Sequence, residues 1–248
     1  MLSPARRHRL NALAAKEAAK ADEFGGVRPD ASVYLLQLTE LKNDIHVLRS
    51  IQSQTERAKA KALLIPKHMP YVRGVIESGF KVEQDEVITT IMLWCFDCAE
   101  FSEGLNLAEY ALQHELKMPD SFSRNTATII AEEIGNAARI AYKASEVFPL
   151  DILEKAQKIT AKSDMPDEVR AKLLLAMGRT YLHLEQSSLA VAALKAAIEK
   201  HENCGGKQDF QKAEKLFKKQ SEEHDTTVST TDGSQIVDDQ GNLLLKST

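Results

Sequence analysis

Long apolar runs are missing from this 248-residue chain. No stretch approaches the ~18 consecutive apolar residues of a membrane span, so none is expected. The N-terminus is basic but no apolar core follows it, which argues against a signal peptide. Aromatic residues make up 6% of the chain, with a single tryptophan, Trp94. Cysteines number three, Cys95, Cys98 and Cys204. An odd number without an export signal reads as reduced thiols in a cytosol, not as a disulfide framework. Disorder is excluded as well, because 43% of residues are hydrophobic and 27% charged. The length admits one large helical domain with appendages, or two modest domains.

Familiar catalytic signatures are also absent. There is no Gly-rich phosphate loop, no His-x-x-x-His pair and no Gly-x-Ser-x-Gly elbow. A metal-dependent nuclease needs carboxylates converging on one or two divalent cations. The candidates are Glu132-Glu133, Asp164/Asp167/Glu168 and Asp238-Asp239. Each also has a structural reading: Glu132-Glu133 on a solvated helix face, Asp164/Asp167/Glu168 capping a helix start, Asp238-Asp239 in a tail. No catalytic residue and no metal ligand is assigned. "MLWCFDCAEFSEGL", residues 92–105, holds a Cys-x-x-Cys, Cys95 and Cys98. No second cysteine pair or histidine cluster has zinc spacing, and no strand precedes the motif as in redox proteins. The two thiols are expected to be small apolar residues inside a helix.

Charge is what the chain does have. Residues 1–81 carry 14 Lys and Arg against 8 Asp and Glu, a net of +6. Residues 82–248 carry 18 against 28, a net of −10. This asymmetry fits a basic N-terminal part that meets a polyanion, joined to an acidic body. The plainer alternative is that the basic residues solvate exposed helices.

The fold class expected is all-α. Four regions are read: a basic helical region over 1–81 for meeting a polyanion and for oligomerisation, a tetratricopeptide-like hairpin body over 82–203, a lysine-rich helix over 204–224, and a tail over 225–248. Ser3-Pro4 opens a helix that Gly25-Gly26 stops. A second helix starts near Asp30/Ser32 and runs to Ile65, where Pro66 ends it. Within it Tyr34, Leu38, Leu41, Ile45 and Leu48, then Gln52 and Thr55, recur at spacings of 4 and 3. This is a heptad seam of a coiled coil, or one face of a helix lying on its own domain. Further on, Leu174, Met177, Gly178, Tyr181, Ala190, Leu194 and Ala197 alternate small and large residues as in a tetratricopeptide hairpin. Ile88, Ile91, Met92, Cys95, Gly104, Ala108 and Ala111 repeat the pattern more loosely. Thr126–Glu146 and Leu150–Ala161 supply helices between them, and Gln208–Glu222 is the last. The tail has a turn at Asp232-Gly233 and short apolar runs; a β-hairpin and a mobile tail are equal readings.

"SPARRH" near the N-terminus, "MLW…AEYAL" at 92–112, "AEEIGNAARIA" at 131–141 and "DMPDEVRAKL" at 164–173 fall in an order that resembles the small terminase subunits of peduovirus-like tailed bacteriophages. The likeness covers about residues 3–200, and "DMPDEVRAKL" is its most specific stretch. The last roughly 45 residues depart from it: they form an acidic-to-neutral Thr/Asp/Gly tail where the family member ends in Lys, Pro and Arg. A role carried by a basic tail therefore does not transfer.

The resemblance implies a subunit that recognises packaging DNA at the cohesive-end (cos) site and recruits a large ATPase-nuclease subunit for viral genome packaging in the host bacterial cytoplasm. It also implies a homo-oligomeric ring, with double-stranded phage DNA and the large subunit as partners and no membrane. No cofactor is implied, except Mg²⁺ if the family's other label, an endonuclease subunit cutting at cos, applies. From the helix pairs alone, a generic peptide-binding adaptor is a third reading. DNA affinity is largely phosphate neutralisation by Lys and Arg. The expected contacts are Arg6, Arg7, Arg9, Lys16 and Lys20 on the first helix, and Arg57, Lys59, Lys61, Lys67 and Arg73 around the Pro66 break, where two helices could form a helix-turn-helix. Tyr34, Leu38, Leu41, Ile45 and Leu48 are the expected oligomerisation residues.

Overall fold

A computed structural model describes residues 31–78, 84–119 and 123–231 of the chain. Among the described residues there are nine α-helices and no strand: α1 Ala31–Ser50, α2 Gln54–Ser78, α3 Glu86–Asp97, α4 Phe101–Gln113, α5 Thr126–Lys143, α6 Leu150–Thr160, α7 Asp167–His183, α8 Ser187–Lys200 and α9 Lys207–Thr231. The all-α reading holds. The expected first helix, with Arg6 to Lys20, lies outside the described residues.

The long helix expected from residue 30 to Ile65 is two helices, and the break precedes Pro66. At Ile51 the amide turns back to the Leu48 carbonyl (3.2 Å), and Arg57 Nη2 donates to the Ile51 carbonyl (2.6 Å). A new helix starts as the Ser53 carbonyl accepts from the Arg57 amide (2.9 Å) and the Ser53 hydroxyl from the Glu56 amide (3.4 Å). Pro66 and Pro70 then lie inside α2. A proline interrupts a helix by deleting one donor and crowding the preceding turn. Here that cost is outweighed by burial: Ile65, His68, Met69, Val72 and Val75 form one stripe packed against α1 and α3. With no break at Pro66, the expected helix-turn-helix does not form there.

Helices pack chiefly on neighbours one or two places along the chain: α3 on α4, α7 on α8, α8 on α9, then α4 on α6 and α5 on α7. Such a stack grows almost linearly, each helix burying its apolar stripe between its neighbours. The core is continuous from Leu38 to Ala213, so the N-terminal helices and the body share it across residue 81. Small residues set the closest approaches. A Cβ at Gly178 would stand 2.5 Å from Leu194 Cγ, and one at Gly104 2.5 Å from the Phe96 ring, so glycine lets α7 meet α8 and α3 meet α4.

Four helices stop without glycine. Ala99, Glu115, Ser145 and Glu185, after α3, α4, α5 and α7, have φ of 61°, 54°, 61° and 57°. Each end closes a Schellman motif, with 6→1 bonds from the Glu100 amide to Cys95 O (2.8 Å), Leu116 to Ala111 (2.8 Å), Glu146 to Ala141 (2.9 Å) and Gln186 to Tyr181 (2.9 Å). A side chain in the left-handed region costs roughly 1–2 kcal/mol, part of which glycine returns as unfolded-state entropy. Ala99→Gly, Glu115→Gly, Ser145→Gly and Glu185→Gly should each stabilise by about 0.5 kcal/mol. The quadruple variant should melt ~5 °C higher by calorimetry, the sites being far enough apart to add.

The last helix is longer than expected. Residues 225–231 continue α9 instead of opening a hairpin; Asp232-Gly233 and the rest of the tail lie outside the described residues.

Candidate nucleic-acid interface

The five described basic residues expected to meet DNA all lie on α2, and the structure does not gather them on one face. At 100° per residue, positions 57, 59, 61, 67 and 73 are spread around the helix axis. Each is engaged with the chain itself. Arg57 clasps the α1–α2 break as described. Lys59 pairs with Glu56 one turn back (2.9 Å), both side chains well exposed. Lys61 bonds Asp97 at the end of α3. Lys67 reaches Asp44 (2.8 Å) and Glu40 (3.1 Å) on α1. Arg73 stands 3.9 Å from Glu103 of α4. Exposed pairs such as those of Lys59 and Arg73 are worth at most about 1 kcal/mol, so a phosphate can replace the carboxylate cheaply. Arg57 and Lys61 are held more deeply.

The seam residues also find partners within the chain. Leu38, Leu41 and Leu48 are buried, and Tyr34 and Ile45 pack against the same core. Of the two readings of the heptad pattern, the structure takes the one in which the helix lies on its own domain: α1 turns this stripe toward α2 and α3. Leu38, Leu41 and Leu48 are thus covered within the chain, while Tyr34 and Ile45 are covered only in part. The outward face of α1 instead exposes Val33, Leu36 and Val47.

A buried polar network ties α1 to α2. His68 is fully buried; its Nε2 lies 2.9 Å from Asp44 Oδ2 and its Nδ1 2.6 Å from Gln37 Nε2. The Lys67 ammonium shares Asp44 Oδ2. The Trp94 ring of α3 meets the imidazole edge to face, centroids 5.9 Å apart. His68 gave no signal in the sequence beyond its place among basic residues.

The cysteines are packing residues, as read. Cys95 is fully buried in α3, where burial pushes its thiol up to about 12. Cys98 is the C-cap of α3 and donates to the Ala58 carbonyl (3.3 Å), its thiol also raised by burial. Iodoacetamide at pH 8 should label Cys204, which is partly exposed, and leave Cys95 unmodified until the protein unfolds; peptide mass spectrometry reads the order.

The carboxylate candidates are occupied in other ways. Glu132 is held by Arg124 and by Lys172 (3.8 Å). Glu133 is half-buried and not on a solvated face; burial, with Asp97 and Glu132 nearby, pushes its carboxyl above the usual range. Asp167 pairs with Lys200 (3.0 Å), and α7 has Pro166 at its N-cap with no side-chain cap bond. Asp167 and Glu168 therefore favour the helix dipole from the first turn without capping it. Asp238-Asp239 lie outside the described residues. Among the described residues, no group of three or more His, Cys, Asp or Glu is placed to hold a metal ion. No described helix is long and apolar enough to cross a membrane.

"DMPDEVRAKL" has a structural explanation. Arg170 is buried, and its Nη2 donates to the carbonyls of Thr160 (2.9 Å) and Ser163 (3.0 Å) at the end of α6. A cation set on the final carbonyls of a helix both completes their hydrogen bonds and opposes the negative end of the dipole. The sequence reading missed the exposed Arg139 and Lys143 at the end of α5, which form no ion pair among the described residues. Their spacing of four at a helix C-terminus was the available signal.

An all-α stack with a basic N-terminal region is compatible with several DNA-handling proteins, and comparison with known sequences resolves the class. The family model described as "Phage small terminase subunit" matches residues 38–168, more than half of the chain, and the chain belongs to this family. It is 35% identical over 222 residues to the "Terminase, endonuclease subunit" of Escherichia phage P2, covering 90% of this chain and 88% of that protein. It is also 27% identical over 97 residues to the "Probable terminase, endonuclease subunit" of Haemophilus phage HP1, covering 39% of this chain and 34% of that one. No solved structure matches the chain significantly.

Proposed function

We propose that this terminase subunit is the DNA-recognition component of the packaging motor. It binds double-stranded phage DNA at the cohesive-end site, assembles as a homo-oligomer, and recruits the large ATPase-nuclease subunit through its helical body in the host cytoplasm. The observation that carries the reading is the charge split, +6 over residues 1–81 against −10 over residues 82–248, in a chain of this family. Phosphate neutralisation supplies most non-specific DNA affinity, and repetition of a modest basic segment in an oligomer multiplies it. Arg6, Arg7, Arg9, Lys16 and Lys20 are the leading contacts. Lys59, Lys67 and Arg73 add to them by exchanging carboxylates for phosphates. Arg57 and Lys61 act chiefly within the fold.

A second reading, in which this chain itself cuts DNA, draws on the names of the two relatives. One experiment separates them. Purified protein without the large subunit is incubated with cohesive-end DNA and Mg²⁺, scoring mobility shift and cleavage together. A salt-sensitive shift with intact DNA supports recognition; site-specific cleavage that survives repurification and stops with EDTA assigns the nuclease to this chain. Replacing Arg6, Arg7 and Arg9 with Glu should weaken binding at least tenfold and lower the salt slope by about 3. An unchanged affinity would move the site elsewhere.

A further inference from the structure

The Asp44 carboxylate on α1 holds two bases at one oxygen. Lys67 Nζ lies 2.8 Å from Oδ2 and His68 Nε2 2.9 Å from the same atom. The two differ in freedom. Lys67 is about one-third exposed and has a second carboxylate, Glu40, at 3.1 Å. His68 is fully buried and its imidazole cannot leave. Across the ring, Nδ1 faces the side-chain amide of Gln37 at 2.6 Å. A side-chain amide can serve both protonation states of that nitrogen. It donates N–H to a bare Nδ1, and after a half-turn it presents its oxygen to Nδ1–H. Both states of His68 are therefore fully hydrogen-bonded with no backbone movement. The groups facing the imidazole are Asp44 and Gln37 from α1, the neighbouring Lys67 on α2 itself, and the uncharged Trp94 ring from α3; Glu40 acts through Lys67.

We infer that His68 and Lys67 compete for Asp44, so that release of Lys67 to a DNA phosphate is accompanied by uptake of one proton at His68. With Lys67 on Asp44, a charged His68 would place two cations on one carboxylate oxygen. Once Lys67 leaves, the carboxylate is uncompensated, and a proton from solvent on Nδ1 restores the balance as Gln37 turns. By linkage, lower pH frees Lys67 for phosphate. His68 is thus a positioning residue for Lys67 and does not touch DNA. The DNA step rests on the recognition reading above; the competition for Asp44 does not.

Trp94 provides the test, being the sole tryptophan and in edge contact with His68. An imidazolium beside an indole quenches its fluorescence. In the full-length protein without DNA, the pH midpoint of Trp94 quenching should rise in Lys67→Met, which removes the competing cation. It should fall in Gln37→Met, which removes the oxygen that accepts from the charged ring. Opposite signs in these two variants support the competition; an unmoved midpoint in Lys67→Met overturns it. Calorimetry of DNA binding in buffers of different ionisation enthalpy then counts protons. Wild type should take up a measurable fraction of one proton near pH 7, and Lys67→Met none. DNA binding without proton uptake overturns the link to DNA. Absence of any DNA binding overturns the recognition reading and leaves the fluorescence result standing.

Discussion

Arg170→Met should lower the unfolding free energy by about 3 kcal/mol. The guanidinium donates to the Thr160 and Ser163 carbonyls from a buried position, with Gln157 and the Thr160 hydroxyl at 3.4 and 3.3 Å. Charge-assisted hydrogen bonds are worth ~1.5–3 kcal/mol net, and a cation at a partly buried helix C-terminus adds up to about 2. Against these stands desolvation of the cation, which also holds the Arg170 group below the usual arginine range. Methionine keeps most of the packing volume but strands the last carbonyls of α6. The expected fall in Tm is ~9 °C in a chain of this size. Arg170→Lys keeps the charge but replaces a planar fork by a single ammonium, so an intermediate loss is expected. A Tm for Arg170→Met within 2 °C of wild type, roughly the smallest effect expected for a 1 kcal/mol loss, would show that water replaces the clasp.

Asp85→Ala should cost a comparable amount, at the other end of the core. Asp85 is fully buried and caps α3, accepting from the amides of Val87 (3.0 Å) and Ile88 (3.2 Å), while its second oxygen accepts from the Tyr71 hydroxyl of α2 (2.7 Å). Loss of a cap costs ~1 kcal/mol, and loss of buried charge-assisted bonds ~1.5–3 more, for a total of about 3. Asp85→Asn retains an oxygen for the cap amides and an amide that can donate to the Tyr71 oxygen, so it should lose only about 1 kcal/mol. Tyr71→Phe isolates the interhelical bond. Urea unfolding of the three variants orders them Ala, then Phe and Asn nearer wild type; equal midpoints for Asp85→Ala and wild type would refute the role given to the cap.

The helical pairs were legible because close packing leaves a residue-size pattern. Gly178 against Leu194 and Gly104 against Phe96 are positions where any side chain would collide, and the small/large spacing records this directly. The helix ends were less legible. Ala99, Glu115, Ser145 and Glu185 take a conformation usually left to glycine, so no residue marked the turns. The Pro66 reading failed for a related reason. Proline is a local signal, and five buried residues of α2 outweigh it only once α1 and α3 are in place.

The sequence by itself determined the fold class, the burial of Cys95, and the resemblance to small terminase subunits, since these rest on periodicity, composition and short motifs. It also determined the uneven charge, which does not depend on conformation. Only the tertiary structure decided which partner each charge and each apolar stripe meets. The α1 seam could pack on a second chain or on its own body, and the pattern is the same in both; the body was nearer, so Leu38, Leu41 and Leu48 are buried there. The basic residues of α2 followed the same rule. A lysine carries its charge wherever it lies, but whether a phosphate can reach it depends on the carboxylate the fold sets beside it, and for Lys67 that carboxylate is Asp44.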